Sequence, residues 1–260
     1  MTGRMKKTVR RMRRLLRSFH PLARELDSRI APHWALRRAA VSNRRKYCYF
    51  RIPKCANSTV LKSLTYYDPD LETIEEDLLG SQKAAQFEKL LSAEALSLST
   101  FQRRYYCFTF VRNPYTRLLS AYLDKMAARP DQSAKYRRMA AEAALADPAD
   151  EASAFERFVG WLETGGLWQN PHWAPQVAIL PVRVSRLDFV GRVENLDRDL
   201  ATVIDAIFGS GTFVAPQTRE YHRRGAGSKV RAYYADALAE RVYRLYKEDF
   251  EAFGYAAELP

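Results

Sequence analysis

Two short runs of apolar and aromatic residues decide the fold, because each leads directly into a polar loop. The first run is YCYFRI (residues 47–52), followed by PKCANST (53–59), and the second is YYCFTFV (105–111), followed by RNP (112–114). Nearly continuous apolar runs of this length are typical of strands buried on both faces of a parallel sheet. Helical patterns follow both loops. The alternation of strand, loop and helix predicts an α/β fold.

The rest of the chain continues this alternation. A shorter strand is predicted at 187–190, a helix at about 195–208, and a last amphipathic helix at about 230–253. Pro114 suits the first turn of the helix after the second strand, with Asn113 as its N-cap. We therefore predict a P-loop-like, three-layer α/β domain with a central, mostly parallel sheet flanked by helices.

The positive charge of the chain lies in its N-terminal part. Residues 1–46 hold 15 of the 42 Lys and Arg residues but two of the 30 acidic residues, so the remainder, with 27 basic and 28 acidic side chains, is nearly neutral. Apolar residues recur among the arginines at helical spacing, which predicts a basic amphipathic helix. We divide the chain into a basic arm, residues 1–45, and a single domain, residues 46–260. The neutral domain argues against specific binding of nucleic acid.

The arm has two interpretations. It is either a solvated helix that packs one face on the domain, or a contact with an anionic membrane surface or an acidic partner such as RNA. No stretch approaches the roughly 18 apolar residues that cross a bilayer, and no signal-peptide segment is evident. Cys48, Cys55 and Cys107 form no CxxC pair, which favours a reducing compartment. These features predict a cytoplasmic protein, with peripheral membrane attachment left open.

The loop after the first strand has the features of an anion site. In α/β sheets, ligands bind at the carboxyl ends of the strands, and the N–H groups at a helix N-terminus bind anions. Lys54 adds a positive charge at the mouth of this loop, and Ser58 and Thr59 add hydroxyl donors. The loop is not a Walker motif, because GxxxxGK[ST] is absent and the lysine precedes the small residues.

The second loop offers a second set of polar groups. Arg112 stands at the strand end, and Ser120 lies two turns into the following helix. Arginine recognises a phosphate through two planar donors, which lysine cannot copy. Taken alone, Arg112 is also compatible with an ion pair at a strand end, and Ser120 with a small residue at a helix contact.

Together the loops resemble a known family. The segments IPKCANST (52–59) and FVRNPYTRLLSAY (110–122) resemble the 5′-phosphosulfate and 3′-phosphate loops of sulfotransferases that use 3′-phosphoadenosine 5′-phosphosulfate (PAPS). HWAPQ (172–176) and DFVGRVENL (188–196) resemble segments of carbohydrate sulfotransferases of the chondroitin and dermatan 4-O type. YRLYKEDFEAFGY (243–255) resembles their closing helix. The motifs occur in matching order along the chain, which makes them more specific together than singly.

The resemblance implies an activity. It implies transfer of a sulfuryl group from PAPS to a hydroxyl of a carbohydrate or glycoconjugate, by in-line displacement that releases 3′-phosphoadenosine 5′-phosphate (PAP). Because a lysine and a helix N-terminus would stabilise the leaving group, no metal is expected. The four histidines of the chain are too scattered to predict a metal site.

The resemblance also implies roles for single residues. Lys54 is expected to contact the bridging and sulfuryl oxygens, the loop amides and hydroxyls the 5′-phosphate, and Arg112 with Ser120 the 3′-phosphate. Arg224 is added from a basic loop, YHRRG (221–225), that could close over the adenine and 3′-phosphate. The expected donor-binding set is Pro53, Lys54, Cys55, Ala56, Asn57, Ser58, Thr59, Arg112, Ser120 and Arg224. Asn57 departs from the family, where Cys, Gly or Ser is more usual.

The acceptor hydroxyl needs a general base, and a neutral imidazole is suited to this role near pH 7. We predict that His172 is this base and that Lys54 is the second catalytic residue. An acceptor-orienting or structural role beside Trp173 is the alternative for His172. Glu194 is another candidate base, although its place at a helix start fits a capping role better.

Three tryptophans, Trp161, Trp168 and Trp173, are consistent with stacking on a sugar ring or with a packed core. Two other functions are also weighed against the sulfotransferase. A P-loop-like nucleotide-dependent kinase should carry a Walker lysine and a carboxylate for Mg²⁺. A non-catalytic membrane-binding or RNA-binding protein would use the arm but leaves the two anion loops without a purpose.

Overall fold

The computed structural model describes residues 27–72, 87, 103–127, 133–145, 151–214 and 226–260. The chain divides into two compact units: Met1–Val111 with Gln176–Arg219, and Arg112–Pro175 with Glu220–Pro260. Residues 1–26, which make up most of the basic arm, lie outside the described residues. The arm's helix, its membrane contact and the cytoplasmic location therefore stay predictions. None of the described helices is long and apolar enough to cross a membrane.

The secondary structure follows the predicted alternation. The strands are β1 Ala39–Ser42, β2 Tyr47–Phe50, β3 Tyr106–Val111 and β4 Phe189–Arg192. The helices of the described residues are α1 Pro32–Leu36, α2 Asn57–Tyr67, α3 Pro114–Lys125, α4 Ala134–Glu142, α5 Glu151–Glu163, α6 Gln176–Ile179, α7 Leu196–Phe208, α8 Ala226–Tyr233, α9 Asp236–Leu245 and α10 Lys247–Phe253. The predicted α/β class, with a mostly parallel sheet flanked by helices, is confirmed.

The first unit is built on the sheet, whose strand order is β1-β2-β3-β4. β2, β3 and β4 are parallel, and β1 pairs antiparallel with β2. The three parallel strands are those the sequence predicted, shifted by one or two residues. β1 falls inside residues 1–45, so the sheet begins before the boundary set for the arm. Its apolar run is only Ala39-Ala40-Val41, too short to stand out among arginines, and it is buried because it pairs with β2.

Aromatic rings fill the middle of this sheet. Tyr49 of β2 stacks on Phe108 of β3 with ring centroids 5.0 Å apart, and Phe110 meets both rings edge-on. Both faces are covered, which explains why the strands read as continuous apolar runs. The carboxyl ends of the three parallel strands lie at one edge of the sheet. The chain leaves that edge at residue 51 after β2 and at residue 112 after β3.

Gly191 in β4 allows a close approach to β3. A Cβ atom at this position would lie 2.5 Å from a ring carbon of Phe110, well inside van der Waals contact. Since the Phe110 ring is fully buried, it has little room to move. Asp188, just before β4, secures the same pair of strands, because its Oδ2 accepts a hydrogen bond from the Cys107 amide at 2.7 Å. The DFVGRVENL segment therefore has a structural role in the sheet.

Gly191→Ala is therefore expected to lower the free energy of unfolding by about 1 to 3 kcal/mol, because the added methyl overpacks the Phe110 ring. The matched control is Gly160→Ala, inside helix α5, where the added Cβ would meet its nearest atom at an ordinary 3.5 Å. That substitution is expected to raise stability by about 0.5 to 1 kcal/mol, through helix propensity. Urea unfolding of both variants measures the effects. Equal effects of the same sign would contradict the close approach at Gly191.

The second unit has its own apolar core. α3 contributes Tyr115, Leu118, Leu119 and Tyr122, and α5 contributes Phe155 and Phe158. Asn113 caps α3 by accepting a hydrogen bond from the Tyr115 amide at 3.0 Å, as predicted. The tight packing places glycine backbone against an aromatic ring. A Cβ at Gly166, for example, would lie 2.4 Å from the Trp161 ring.

The predicted last helix, 230–253, is divided into α8, α9 and α10. The breaks fall at two buried tyrosines whose hydroxyls bond backbone carbonyls elsewhere in the unit. Tyr234 donates to the Tyr115 carbonyl at 3.0 Å, and Tyr246 donates to the Trp173 carbonyl at 2.5 Å. A continuous helix satisfies the 3.6-residue pattern, but these tertiary hydrogen bonds outweigh it because both hydroxyls are buried. The amphipathic pattern alone could not indicate the breaks.

Candidate active site

The loop between β2 and α2 has an unusual backbone. Lys54 and Ala56 both have positive φ, 70° and 55°, although neither is glycine. Each such residue costs about 1 to 3 kcal/mol, and such residues cluster at functional sites. Ala56, in the left-handed conformation, is followed at once by the helical Asn57. This pairing of conformations turns successive N–H groups toward one concave side, which is a geometry suited to an anion.

The N-terminus of α2 supplies the donors of this loop. The first intrahelical bond of the eleven-residue helix is made by the Val60 amide to the Ala56 carbonyl at 3.0 Å. The amides of Asn57, Ser58 and Thr59 come before it, so helix geometry gives them no partner within the helix. Among the residues that the structure describes, no side chain caps this end. Backbone donors, the helix dipole and the Lys54 ammonium are thus combined in seven residues.

The Asn57 side chain is bound to the sheet. The fully buried Tyr49 hydroxyl donates to Asn57 Oδ1 at 2.8 Å. Burial raises the pKa of the Tyr49 phenol well above its ordinary value, so the hydroxyl keeps its proton and remains a donor. With Oδ1 engaged, the amide nitrogen is the group that Asn57 can offer to an anion.

Gln176 supports the same loop, although sequence analysis gave it no role. Cys55 is fully buried, and its Sγ donates to Gln176 Oε1 at 3.2 Å, while the Gln176 side chain is itself buried. Gln176 is the last residue of the HWAPQ segment and the first residue of α6. A buried polar side chain without a partner would be costly. The signal that could have found it was a glutamine in an otherwise apolar stretch.

In the second unit, Arg112 is positioned by the first turn of α3. Its Nε donates to Thr116 Oγ1 at 3.0 Å, and the Thr116 hydroxyl donates in turn to the Asn113 carbonyl at 3.1 Å. Ser120 is one further helical turn along from Thr116 and is 5% exposed. Residues spaced by four share one helix face. Thr116 and Ser120 therefore share one face of α3, and the Arg112 side chain contacts Thr116, which sequence analysis missed.

His172 lies in a turn, 170–174, that is held by groups from α3 and from the C-terminal helices. The fully buried Arg117 guanidinium donates to the Pro171 carbonyl at 3.1 Å and to the Ala174 carbonyl at 2.9 Å. The Tyr246 hydroxyl holds the Trp173 carbonyl between them. Burial raises the pKa of Tyr246, so this donor stays protonated. The half-buried His172 is therefore presented from a rigid support.

The other sequence candidates have different outcomes. Trp173 is fully buried, and its Nε1 donates to the Gly166 carbonyl. Trp161 stacks on Phe158 and meets Trp173 edge-on, so these two tryptophans belong to the packed core. Glu194 is exposed in a short 3-10 turn before α7. Arg224 lies outside the described residues, so its part in donor binding stays a prediction.

Comparison with known protein families agrees with the resemblance of these motifs. A protein-family model described as the sulfotransferase family matches residues 37–256. The chain belongs to the sulfotransferase family. The family inferred from the two loops is thereby confirmed, and the matched region contains both of them. It also contains the turn that carries His172.

Relatives of this sulfotransferase-family chain include three from Mus musculus. Carbohydrate sulfotransferase 14 is 26% identical over 230 residues, covering 85% of this chain and 60% of the relative. Carbohydrate sulfotransferase 12 is 25% identical, with 86% and 61% covered. Carbohydrate sulfotransferase 10 is 24% identical, with 89% and 70% covered. The chain thus spans about 60% of the length of the first two. No solved structure gives a significant match.

Proposed function

We propose that this chain is a sulfotransferase that moves a sulfuryl group from PAPS to a hydroxyl of a carbohydrate or glycoconjugate. The observation that carries the proposal is the β2–α2 loop, in which Lys54 stands beside a helix N-terminus inside the region matched by the family. Relatives named carbohydrate sulfotransferases support the acceptor class. The donor, the acceptor and the residue roles below are all parts of this proposal.

The 5′-phosphosulfate would be held by residues 53–59. The amides of Asn57, Ser58 and Thr59 offer donors to the 5′-phosphate, and the left-handed Ala56 gives the loop its concave shape. The Lys54 ammonium supplies the charge for the bridging oxygen. The 3′-phosphate would be held by Arg112 and Ser120, with Thr116 fixing the Arg112 guanidinium. Such planar recognition of phosphate is what arginine does best.

The reaction proposed is an in-line displacement at sulfur. The acceptor oxygen forms a new bond to sulfur while the bond between sulfur and the bridging oxygen of the 5′-phosphate breaks, and PAP leaves with the electron pair. Lys54 and the dipole of α2 stabilise the negative charge that grows on this oxygen. The proton of the acceptor hydroxyl passes to His172 as general base. Catalysis is then mainly positioning and charge stabilisation.

The assignment of Arg112 gives a prediction about its neighbour. Thr116→Val removes the hydroxyl that accepts from Arg112 Nε but keeps the shape of the side chain. Loss of one such hydrogen bond, worth about 0.5 to 1.5 kcal/mol, should weaken PAP binding by roughly 2- to 12-fold. Thr116→Ser keeps the hydroxyl and should bind like wild type. Isothermal titration with PAP measures both, and unchanged affinity in the valine variant would contradict this role.

The experiment that tests the function is a transfer assay with PAPS labelled on its sulfuryl group and a panel of desulfated glycans, simple sugars and phenols as acceptors. Label appearing in a carbohydrate product is the expected result. ATP labelled on its γ-phosphate, with Mg²⁺ and the same panel, tests the kinase alternative. Transfer of phosphate instead of sulfate would overturn the proposal, and label transferred only to phenols would overturn its acceptor class.

A further inference from the structure

Asn170 is in contact with His172 through two separate hydrogen bonds. It is fully buried, and its Oδ1 lies 2.7 Å from His172 Nδ1. The same oxygen accepts a hydrogen bond from the His172 backbone amide at 3.1 Å. The carbonyl of Asn170 also accepts from the amides of Trp173 and Ala174, so its backbone closes the turn. Neither the motifs nor the expected donor set included this residue.

The backbone contact decides which way the Asn170 carboxamide points. A backbone N–H can only donate, so the atom of Asn170 that faces the His172 amide must be the oxygen and not the NH₂ group. This same oxygen faces His172 Nδ1. Since an amide oxygen can only accept, Nδ1 must carry a proton. In the neutral imidazole the lone pair is then on Nε2.

Among the described residues, Tyr136 also lies near this nitrogen, and it does not alter the conclusion. Its hydroxyl is 3.4 Å from His172 Nδ1, at the outer limit for a hydrogen bond. If this hydroxyl were to donate to an unprotonated Nδ1, the ring lone pair would face Asn170 Oδ1 at 2.7 Å, with two acceptors opposed. The shorter contact therefore decides the tautomer.

We propose that Asn170 is a positioning residue that fixes the tautomer of His172, so that Nε2 is the atom that receives the acceptor proton. The base role rests on the proposed function, whereas the tautomer does not. As the imidazolium forms, Nδ1–H continues to donate to Asn170 Oδ1, so no group has to reorient during the transfer. The supports on Pro171, Trp173 and Ala174 hold the backbone, and Asn170 Oδ1 contacts the ring at Nδ1.

The first part of the test is nuclear magnetic resonance of the full chain labelled with ¹⁵N in histidine, without substrate. His172→Ala identifies the His172 signals. Wild type is expected to show His172 protonated at Nδ1 near neutral pH. Asn170→Ala should give a mixture of tautomers, whereas Tyr136→Phe, which removes the more distant neighbour, should keep the wild-type tautomer. A wild-type His172 protonated at Nε2, or an unchanged tautomer in Asn170→Ala, would overturn the proposal.

The second part measures kcat and KM across pH. Asn170→Ala should lower kcat by roughly 10- to 100-fold with a much smaller change in KM. Asn170→Asp keeps an oxygen at Nδ1, should restore the tautomer, and adds a carboxylate that stabilises imidazolium. Because the base works in its neutral form, the acid limb of its kcat profile should move to higher pH. An unmoved limb would show that position 170 does not contact the base.

The two parts separate the possible failures. If wild type transfers no sulfuryl group while the spectra show the Nδ1 tautomer lost in Asn170→Ala, the proposed function fails and the positioning of the ring stands. If transfer is normal and Asn170→Ala matches wild type in kcat and tautomer, the function stands and the inference fails. If Asn170→Ala does not fold, the pH profile of kcat for Asn170→Asp decides the test. An acid limb at the same pH as in wild type would contradict the inference.

Discussion

Lys54→Ala is expected to lower kcat for sulfuryl transfer by roughly 100- to 1,000-fold, the usual cost of removing one group that stabilises charge growing on an oxygen. Lys54 lies two residues before Ala56, the N-cap of α2, where the leaving oxygen of the 5′-phosphate is proposed to lie. Alanine keeps a Cβ at a residue with φ of 70°, so both side chains meet the same backbone constraint. The decrease in kcat then measures the contribution of the Lys54 charge.

Lys62→Ala is the matched control for this prediction. Lys62 lies on the same helix, α2, and its replacement removes the same charge from the first unit. It should leave kcat within about threefold of wild type, because Lys62 lies outside the loop 53–59 that is proposed to hold the leaving group. Steady-state rates with saturating PAPS measure both variants. If Lys54→Ala and Lys62→Ala were equally active, Lys54 would not be the group that stabilises the leaving oxygen.

Arg117→Ala is expected to lower the free energy of unfolding by about 3 to 6 kcal/mol, because two hydrogen bonds from a charged donor, each worth about 1.5 to 3 kcal/mol, are lost. The guanidinium is 1% exposed, and it satisfies two carbonyls of the turn that carries His172. Alanine would leave the Pro171 and Ala174 carbonyls without these donors and would open a cavity beneath them. Urea unfolding measures the loss.

Arg117→Lys and Arg244→Ala complete this test. Lysine keeps the charge but cannot reach both carbonyls with one planar fork, so its loss should be intermediate. Arg244, on α9, has a side chain that is 65% exposed, with Glu240 as its partner at 3.7 Å. Its removal should cost less than about 1 kcal/mol, as for other surface pairs. An Arg117→Ala variant as stable as Arg244→Ala would show that the turn does not depend on the guanidinium.

The parallel strands could be read from the sequence because burial on both faces leaves an uninterrupted apolar signal. Tyr49, Phe108 and Phe110 are fully or almost fully buried, and each lies in one of the two runs that carried the prediction. The β2–α2 loop was readable for a different reason, since a lysine and two hydroxyls follow directly on a strand. β1 was missed because three small apolar residues among arginines carry no comparable signal.

The residues that support the candidate site could not be predicted from the sequence. Asn170, Gln176 and Arg117 act through partners that the fold brings to them: Asn170 on His172, Gln176 on Cys55, and Arg117 on two backbone carbonyls. Gln176 and Cys55 are far apart in the sequence, and their hydrogen bond depends on tertiary packing. No periodic pattern in the sequence therefore indicates it. The sequence allowed the tryptophans either to stack on a sugar ring or to pack in the core. The structure shows that Trp173 lies in the core.

We propose that the β2–α2 loop and Arg112 bind the 5′- and 3′-phosphates of one nucleotide, and thermal unfolding with PAP or ATP measures this binding. PAP at about 100 times its Kd adds about 2.7 kcal/mol, which should raise the Tm of wild type by roughly 5 to 10 °C. Lys54→Ala and Arg112→Ala should each lose much of that shift. No shift with PAP, or a larger one with ATP and Mg²⁺, would contradict PAP as the nucleotide that this protein binds.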